Sequence, residues 1–220
     1  MNKQFAEFVG IFIGDGSLNI RKEKNSYEFK IVGNIQNEKD YFEKHVSKIA
    51  SKIVGRDIQS KILDSGRSYG IYFCSKKLAN KLSELGFKSG KKADSAVIPN
   101  EIIRSKNLLK SCLRGIFDTD GCFTAKRHGT YPTIAFVSKS KKLIQQIEKI
   151  LIDNEIKCCA CYDIKEFDKR YFKEYTKSRL DINGRKSTQM WFKIFGTKNN
   201  KHLIKYLKYK ANRGLRFGPL

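Results

Sequence analysis

Two Asp-Gly pairs are the residues of this 220-residue chain whose type and spacing could do chemistry. Asp15 and Asp120 each end an apolar run of helical length, and each is followed by glycine. Carboxylate oxygens are hard ligands that suit Mg²⁺, which completes its shell with water and phosphate oxygens. Carboxylates that share divalent ions can support hydrolysis of a phosphodiester. The two pairs therefore predict a metal-dependent hydrolytic site, provided that the fold brings the acids together.

The charge of the chain indicates the partner of such a site. Lys and Arg number 45 against 22 Asp and Glu, so the formal net charge is +23. A surplus of this size favours a polyanionic partner, and a nucleic-acid backbone is the natural one. No run of about 18 apolar residues is present, so we expect no membrane partner. The N-terminus lacks a secretory pattern, which predicts an intracellular protein of the cytoplasm or nucleoid, or of an organelle if organelle-encoded.

The elements that must position the acids occur twice in the same order. After Gly16, polarity patterns predict a hairpin, an amphipathic helix, a second hairpin and a short helix, and a similar course begins after Gly121. The acids are 105 positions apart, about half of the chain. We therefore expect an α+β chain of two pseudo-twofold-related α-β-β-α-β-β-α units. The predicted divisions are an N-terminal half (1–90), a linker (91–107) and a C-terminal half (108–220).

The second half is harder to divide into elements than the first. Strands are predicted at residues 123–127, 133–137, 157–164 and 189–195. Between the last two lies a basic stretch, residues 167–186, which is either an extended hairpin tip or a mobile loop.

Small residues mark one face of each Asp-Gly helix. Gly10 and Gly14 are four residues apart, and Gly115 and Thr119 repeat that spacing. Small residues on a helix face allow two backbones to approach closely. If the halves pack about a pseudo-twofold axis, these faces meet and the two acids become neighbours.

These two segments resemble the nine-residue motif of the LAGLIDADG homing endonucleases. The copies are residues 8–16 and 113–121. Two positions depart from the motif: Ile13 replaces its first Asp in the first copy, and Arg114 fills a small-residue position in the second. The matching residues are Gly10, Asp15 and Gly16 in the first copy, and Leu113, Gly115, Asp118, Asp120 and Gly121 in the second.

The resemblance implies a fold and an activity. Each half would contribute a four-stranded antiparallel sheet to a DNA-binding saddle, with the motif helices at the interface of a functional monomer. Such a protein binds a long pseudo-palindromic duplex and cuts both strands across the minor groove with Mg²⁺, leaving 3′ overhangs. Two or three divalent ions would be shared by Asp15 and Asp120. The backbone carbonyls of Gly14 and Thr119 would be further ligands.

The same resemblance implies residues that assist cleavage. A polar residue at the end of the second strand orders water, and Gln36 fits it, although the neighbouring Asn37 fits it equally or caps the next helix. Ser138 takes this position in the second half. A lysine at the start of the last helix acts near the scissile phosphate. Lys76 and Lys198 fit it, since each follows a Phe, a small residue and a hydroxyl residue.

Alternating polarity predicts which strand residues face DNA. Polar groups on the face opposite the apolar set are able to read base edges. Other basic residues contact phosphates or water: Lys91, Lys92, Lys139, Lys141 and Lys142. The predicted DNA-facing residues are Asn19, Arg21, Glu23, Glu28, Lys30, Val32 and Asn34 in the first half, and Thr124, Lys126 and His128 in the second.

One alternative function shares the fold and the charge. An intron RNA maturase would bind its host intron RNA as a splicing cofactor without cutting DNA. A chain kept only for RNA binding could lose either acid, and here both Asp15 and Asp120 are present. The sequence therefore favours the nuclease and double-stranded DNA as its partner.

Overall fold

The structure, a computed structural model, describes residues 1–90, 94–169 and 172–217, with side chains up to residue 212. Lys91 and Lys92, predicted to contact phosphate, lie outside the described residues. The helices are α1 (Lys3–Asp15), α2 (Lys39–Tyr41), α3 (Ser47–Val54), α4 (Lys76–Glu84), α5 (Asn100–Ile103), α6 (Lys106–Asp120), α7 (Lys126–Gly129), α8 (Lys141–Asp153), α9 (Arg185–Ile194) and α10 (Asn200–Phe217). The strands are β1 (Gly16–Arg21), β2 (Ser26–Asn34), β3 (Ser60–Leu63), β4 (Ser68–Cys74), β5 (Gly121–Ala125), β6 (Tyr131–Ser138), β7 (Cys159–Asp168) and β8 (Lys173–Asn183).

The chain forms two units, each with its own antiparallel sheet. The first contains α1 to α5, α6 as far as Thr119, and the later segment Thr197–Lys201. The second contains Asp120–Gly196 and α10 from His202 onward. The strand orders are β1-β2-β4-β3 and β5-β6-β8-β7, so the same topology occurs twice. The predicted α+β class and its two four-stranded sheets are confirmed.

The first unit begins with the helix that carries Asp15. Asn2 caps α1 by accepting a hydrogen bond from the Phe5 backbone N–H at 2.9 Å. The helix ends at Asp15 because Gly16 takes an extended conformation (φ −81°, ψ 152°) and starts β1. A Cβ at position 16 would lie 2.7 Å from the Phe12 backbone, so only glycine fits there. Asp15 is thus held at a tight helix-to-strand turn.

The core of the first unit lies between α1 and its sheet. The buried rings of Phe12 on α1 and Phe29 on β2 are 6.1 Å apart, and Phe29 stacks on Phe73 of β4 at 5.1 Å. Truncating a buried Phe of this kind costs about 3–5 kcal/mol. Between the two hairpins, α2 continues through a π turn (Phe42–Val46) into α3.

The second unit repeats the register of the first with an offset of 105 residues. Gly16 pairs with Ile31 in the first sheet, and Gly121 pairs with Phe136 in the second. The core contains Trp191 of α9, whose ring lies 5.3 Å from that of Phe136. The repeat inferred from the two Asp-Gly pairs therefore extends to the pairing of individual strand residues.

The predicted strand at residues 189–195 is wrong. Those residues lie in and just after α9, where Thr188, Trp191 and Phe195 are buried at helical spacing. The missing strand is β8, inside the basic stretch 167–186, where Leu180 and Ile182 alternate into the core. Of the two alternatives for that stretch, the structure has the extended hairpin, with β8 paired along β7.

No helix within the described ranges is long and apolar enough to cross a membrane.

Candidate active site and nucleic-acid interface

The two motif helices cross at their glycines. A Cβ at Gly10 of α1 would lie 2.0 Å from the carbonyl oxygen of Cys112, and one at Gly115 of α6 would lie 2.4 Å from that of Glu7. The contacts are reciprocal, since Glu7 and Cys112 are themselves related by the 105-residue offset. Backbone therefore lies directly against backbone, as the small-residue spacing predicts. Any side chain at Gly10 or Gly115 would force the helices apart.

An ion pair joins α1 to α6 beside this crossing. The Arg114 guanidinium donates hydrogen bonds to the Glu7 carboxylate from Nε at 3.0 Å and from Nη2 at 2.6 Å. His45 Nε2 lies 2.8 Å from the same carboxylate, which is buried. Burial alone would raise the pKa of Glu7, but the hydrogen bonds from His45 and Arg114 outweigh it and lower that pKa. Arg114, which stands where the motif has a small residue, thus binds α1 from α6.

Asp15 and Asp120 are the last residues of α1 and α6, as predicted. Asp15 is half-buried and Asp120 is exposed. The carbonyls of Gly14 and Thr119 directly precede the two acids in the chain. Carboxylates and carbonyls are the donor types that suit Mg²⁺. Among the described residues, no cluster of three or more His, Cys, Asp or Glu side chains is placed to hold a metal ion.

A buried acid next to Asp120 holds a loop from the far end of the chain. Asp118 has no exposed surface and accepts hydrogen bonds from the Thr197 hydroxyl and, at 2.9 Å, from the Lys198 backbone N–H. Burial raises the pKa of Asp118 to about 6, although both hydrogen bonds oppose the shift. The sequence marked Asp118 only as a motif match, because nothing in the pattern of residues 189–199 indicated that this loop returns to α6.

The Gln36 turn is organised by Asn34, the last residue of β2. Its side-chain oxygen accepts hydrogen bonds from the backbone N–H groups of Gln36 and Asn37, at 2.9 and 3.2 Å. Gln36 is exposed and lies two residues beyond the end of the strand. Asn37 does not cap the next helix, because the residue at that position is Glu38. The water-ordering role of Gln36 stays a prediction.

Ser138 does not occupy the position that Gln36 has in the first unit. It is the last residue of β6, and its hydroxyl accepts a hydrogen bond from the Ser140 backbone N–H at 3.1 Å. This is the arrangement that Asn34 makes with Gln36. The two turns differ because α8 begins three residues after its strand and α2 begins five residues after.

The structural counterpart of Lys76 is Arg185. Lys76 is the first residue of α4, directly after Ser75, whose backbone N–H donates to the Tyr27 carbonyl at 3.0 Å. In the second unit the matching bond runs from Gly184 to the Pro132 carbonyl, also at 3.0 Å, and Arg185 follows as the first residue of α9. Tyr27 and Pro132 are related by the 105-residue offset. Arg185 and Lys76 are both exposed.

The pairing of Lys76 with Lys198 is therefore wrong as a structural equivalence. Lys198 precedes α10, which is one helix beyond the counterpart of α4. The misplaced strand at residues 189–195 caused this error, since it shifted the last helix of the second half by one element. Lys198 is exposed and stays a predicted catalytic residue on other grounds, its backbone being bound to Asp118.

The outer face of the first sheet carries the predicted polar set. Register places Asn19 beside Glu28 and Ser17 beside Lys30, and Phe29 and Ile31 are buried on the other face. Val32 and Asn34 continue the outward series along β2. Glu23 departs from the prediction, because it lies in a 3₁₀ turn (Lys22–Lys24) after β1 has ended.

On this face, basic side chains form ion pairs with acidic ones. The Glu28 carboxylate forms an ion pair with Arg21 and accepts hydrogen bonds from Ser26 at 2.8 Å and Asn19 at 3.4 Å. The hydrogen bonds from Ser26 and Arg21 lower the pKa of Glu28. Lys30 pairs with Asp64 in the same way. The Glu28 carboxylate is therefore already bound by three neighbouring side chains.

The outer face of the second sheet is only partly the predicted one. Thr124 is exposed on β5, as expected. Lys126 and His128 are exposed but lie in α7, a tight turn in which His128 has φ +54°, so the predicted strand 123–127 ends at Ala125. Register adds Val137 and Arg179 to this face. Arg179 escaped prediction because β8 is hidden in a highly charged stretch.

Comparisons with known proteins agree with the fold. The sequence profile of a LAGLIDADG-like domain matches residues 107–189. Replication factor C small subunit of Methanocaldococcus jannaschii is 34% identical over 120 residues, which are 54% of this chain and 6% of that protein. The chain thus matches only a small part of that relative.

Solved structures match nearly the whole chain. The structure of I-DmoI in complex with DNA and Ca has a TM-score of 0.62 at 16% identity and covers 93% of this chain and 97% of its own. The I-LtrWI LAGLIDADG homing endonuclease bound to target DNA has a TM-score of 0.57 at 12% identity, covering 98% and 92%. The homing endonuclease I-WcaI bound to its DNA recognition sequence has a TM-score of 0.58 at 16% identity, covering 94% and 84%.

The resemblance stated from the two motifs is confirmed. Residues 107–189 match a LAGLIDADG-like domain, and the chain has the fold of the LAGLIDADG homing endonucleases.

Proposed function

We propose that this protein is a homing endonuclease: a functional monomer that binds a long pseudo-palindromic DNA duplex and hydrolyses both strands. Cleavage takes place across the minor groove with Mg²⁺ and leaves 3′ overhangs. The protein acts inside the cell. The relatives that share its fold are described as homing endonucleases bound to DNA, which supports this substrate.

One observation carries the proposal. Gly10 and Gly115, at which the motif helices cross, each precede the terminal acid of their helix by five residues. Five residues of α-helix span about 7.5 Å, so each helix extends equally far beyond the crossing. If the two helices only packed against each other, the glycines would be required, but an acid at the end of each helix would not. Asp15 and Asp120 in matched positions on so basic a chain favour a shared catalytic role.

The chain's own residues would hold the ions and the DNA. Asp15 and Asp120 would share two or three Mg²⁺ ions, with the carbonyls of Gly14 and Thr119 and the DNA phosphates completing the ligands. Bound Mg²⁺ would neutralise phosphate charge and would help to activate water for attack on the phosphorus. The outer faces of the two sheets would contact base edges, and exposed lysines would contact phosphates.

The proposal is tested by Asp15→Asn and Asp120→Asn. Each removes a charged ligand while keeping the side-chain shape, so double-strand cleavage is expected to be abolished while DNA binding remains. Asp153→Asn is the matched control, since Asp153 is an exposed aspartate that also ends a helix, α8. Substrate comes from a randomised duplex library incubated with Mg²⁺. Undiminished cleavage by both single variants would refute the assignment.

The maturase alternative is tested in the same experiment. Incubation with the host intron RNA instead of DNA separates the two functions, because a maturase promotes splicing and leaves duplex DNA intact. Splicing that survives both Asp variants, with no DNA cleavage by the unsubstituted chain, would replace the nuclease proposal.

A further inference from the structure

A buried carboxylate links the predicted catalytic segments of the first unit. Glu38 follows the Gln36 turn and is 5% exposed. Its Oε2 accepts a hydrogen bond from the Asn34 backbone N–H at 2.8 Å. Its Oε1 accepts from Asn199 Nδ2 and from Lys201 Nζ, both at 2.9 Å. One side chain therefore joins the turn after β2 to the segment before and within the start of α10.

The link continues to the end of α6. Asn199 has no exposed surface, and its Nδ2 also donates to the Asp118 carbonyl oxygen at 2.8 Å. Asp118 in turn accepts a hydrogen bond from the Lys198 backbone. Asp118 lies in α6, two residues before the predicted ligand Asp120. Three pieces of chain that carry predicted catalytic residues thus meet in one network: the Gln36 turn, the Lys198 loop and the last turn of α6.

The backbone around Glu38 is shaped for its carboxylate. Asn34 and Glu38 are joined twice, by the side-chain bond and by a backbone bond from Glu38 N–H to the Asn34 carbonyl at 3.0 Å. This closes the turn at its base and leaves Gln36 near its apex. A Cβ at Gly33 would lie 2.6 Å from Oε2 of Glu38, so glycine there makes room for the carboxylate.

Stability alone does not account for a carboxylate in this place. Removing a charge from water is costly, and well-packed apolar residues often replace buried ion pairs without loss of stability. Glu38 instead makes directional bonds to two separate chain segments, and Asn199 links them to a third, the end of α6. A displacement of about 1 Å in catalytic groups can cost about 10²-fold in rate. Fixing the geometry of those segments is a role that an apolar side chain could not fill.

We propose that Glu38 is a positioning residue for DNA cleavage. It holds the Gln36 turn and the Lys198 loop in a fixed relation to the end of α6, acting through Asn34 and Asn199 without contacting DNA. This inference rests on the proposed nuclease function and adds a residue that neither motif contains.

The test is Glu38→Gln, measured at saturating protein in a single turnover. The amide places a donor against the Asn34 N–H and removes the charge that pairs with Lys201. The cleavage rate of bound duplex is expected to fall about 10²-fold, while the dissociation constant changes less than about 3-fold. Because every duplex is bound, a loss of folded protein does not change this rate. Glu38→Asp keeps the carboxylate and is expected to recover part of the rate.

A matched control and a second variant separate positioning from stability. Tyr69→Phe removes another hydrogen bond to a carboxylate in the same unit, from Tyr69 to Glu43 at 2.7 Å, and this bond involves none of Glu38, Asn199 and Asp118. It is expected to cleave bound DNA at the parent rate. Asn199→Asp sets a second carboxylate against Glu38 and is expected to behave as Glu38→Gln does. Parent-like cleavage by both Glu38→Gln and Asn199→Asp would overturn the proposal, as would equal loss of rate in Tyr69→Phe.

The inference and the function fail in different ways. If the unsubstituted chain cuts no duplex with Mg²⁺, the proposed function is refuted, and the positioning role with it. If the unsubstituted chain cuts DNA and the Glu38 variant cuts it equally fast once bound, only the positioning role is refuted.

Discussion

Arg114 binds both carboxylate oxygens of Glu7 through its Nε and Nη2, and the two residues belong to the two motif helices that cross at Gly10 and Gly115. The ion pair has no counterpart related by the 105-residue offset. The residue of α6 that corresponds to Glu7 is Cys112, and the residue of α1 that corresponds to Arg114 is Val9. No equivalent ion pair is possible between two copies of α1 or two copies of α6. The pair therefore favours packing of α1 on α6 over packing of two like helices.

The first prediction concerns the stability of this pair. Arg114→Leu leaves the Glu7 carboxylate buried with only His45 beside it, and breaking a buried pair from one side costs about 3–5 kcal/mol. Because Arg114 is a quarter exposed, we expect the lower end of that range. The double variant Glu7→Leu/Arg114→Leu is expected to regain most of the loss. Urea unfolding measures all three, and a double variant no better than Arg114→Leu would contradict the coupling.

The second prediction concerns pH. The pKa of Glu7 is lowered from 4.5 in the folded protein, so the ionised form is stabilised by folding. A lowered acid pKa contributes stability that is full above the unfolded value of 4.5 and is lost as pH falls through the folded value. The difference in unfolding free energy between the parent and Glu7→Gln is therefore expected to be constant above about pH 5 and to shrink below it.

This comparison is made by urea unfolding at a series of pH values from 7 to 3. Carboxylates that do not interact with Glu7 titrate alike in both proteins, so their contributions cancel in the difference. A difference that stays constant, or grows, as the pH falls below 4.5 would show that Glu7 is not held ionised by Arg114 and His45.

The order of elements was predictable because local signals agree with each other. Asp15 and Asp120 end apolar helical runs, and glycine follows each, so the helix ends and the repeat are visible in the sequence. The glycine crossing was also predictable, since spacing alone puts Gly10 and Gly14 on one face. These features depend on residues that are near one another in the chain.

The features that escaped prediction depend on residues far apart in the chain. Asp118 and Glu38 are buried because Thr197–Lys201 returns to the first unit, and no periodicity signals such a return. The misassigned strand at 189–195 has a second cause. Lys173 and Lys177 interrupt the alternation of apolar and polar residues in β8. The aromatic residues of α9 form an apolar run that resembles the sequence of a buried strand. Lys198 was consequently matched to Lys76 in place of Arg185.

The third prediction concerns how the first sheet reads DNA. The sequence suggested that Glu28 contacts a base, but its carboxylate is already bound to Arg21, Ser26 and Asn19. We expect Glu28 to set the orientation of Arg21 and Asn19, which suit guanine and adenine. Glu28→Gln should therefore relax base preference at the positions that Arg21→Ala also relaxes, and the double variant should add little.

Selection from a randomised duplex library gives the base preference at every position. Asp64→Asn is the matched control, since it releases Lys30 on the same face and is expected to leave the Arg21 positions unchanged. A preference altered by Glu28→Gln at a position that Arg21→Ala and Asn19→Ala leave untouched would show that Glu28 reads a base itself.

The last prediction distinguishes Arg185 from Lys198 as the partner of Lys76. Lys76 and Arg185 start the equivalent helices α4 and α9, after equivalent backbone bonds at Ser75 and Gly184. If this position acts near the scissile phosphate in each unit, Lys76→Ala and Arg185→Ala should each slow cleavage of one DNA strand more than that of the other. The strand affected by Lys76→Ala should be the opposite of the strand affected by Arg185→Ala. Affinity should remain near the parent value, because one phosphate contact among many is lost.

Strand-specific end labels measure both rates in a single turnover, with Lys198→Ala in parallel. Lys198 is tied to the end of α6 through Asp118, so its removal is also expected to slow cleavage. Lys193→Ala, on the exposed face of α9, controls for loss of a positive charge in the same helix and is expected to match the parent. If Lys198→Ala mirrors Lys76→Ala on the opposite strand while Arg185→Ala matches the parent, the equivalence drawn from strand register does not extend to catalysis.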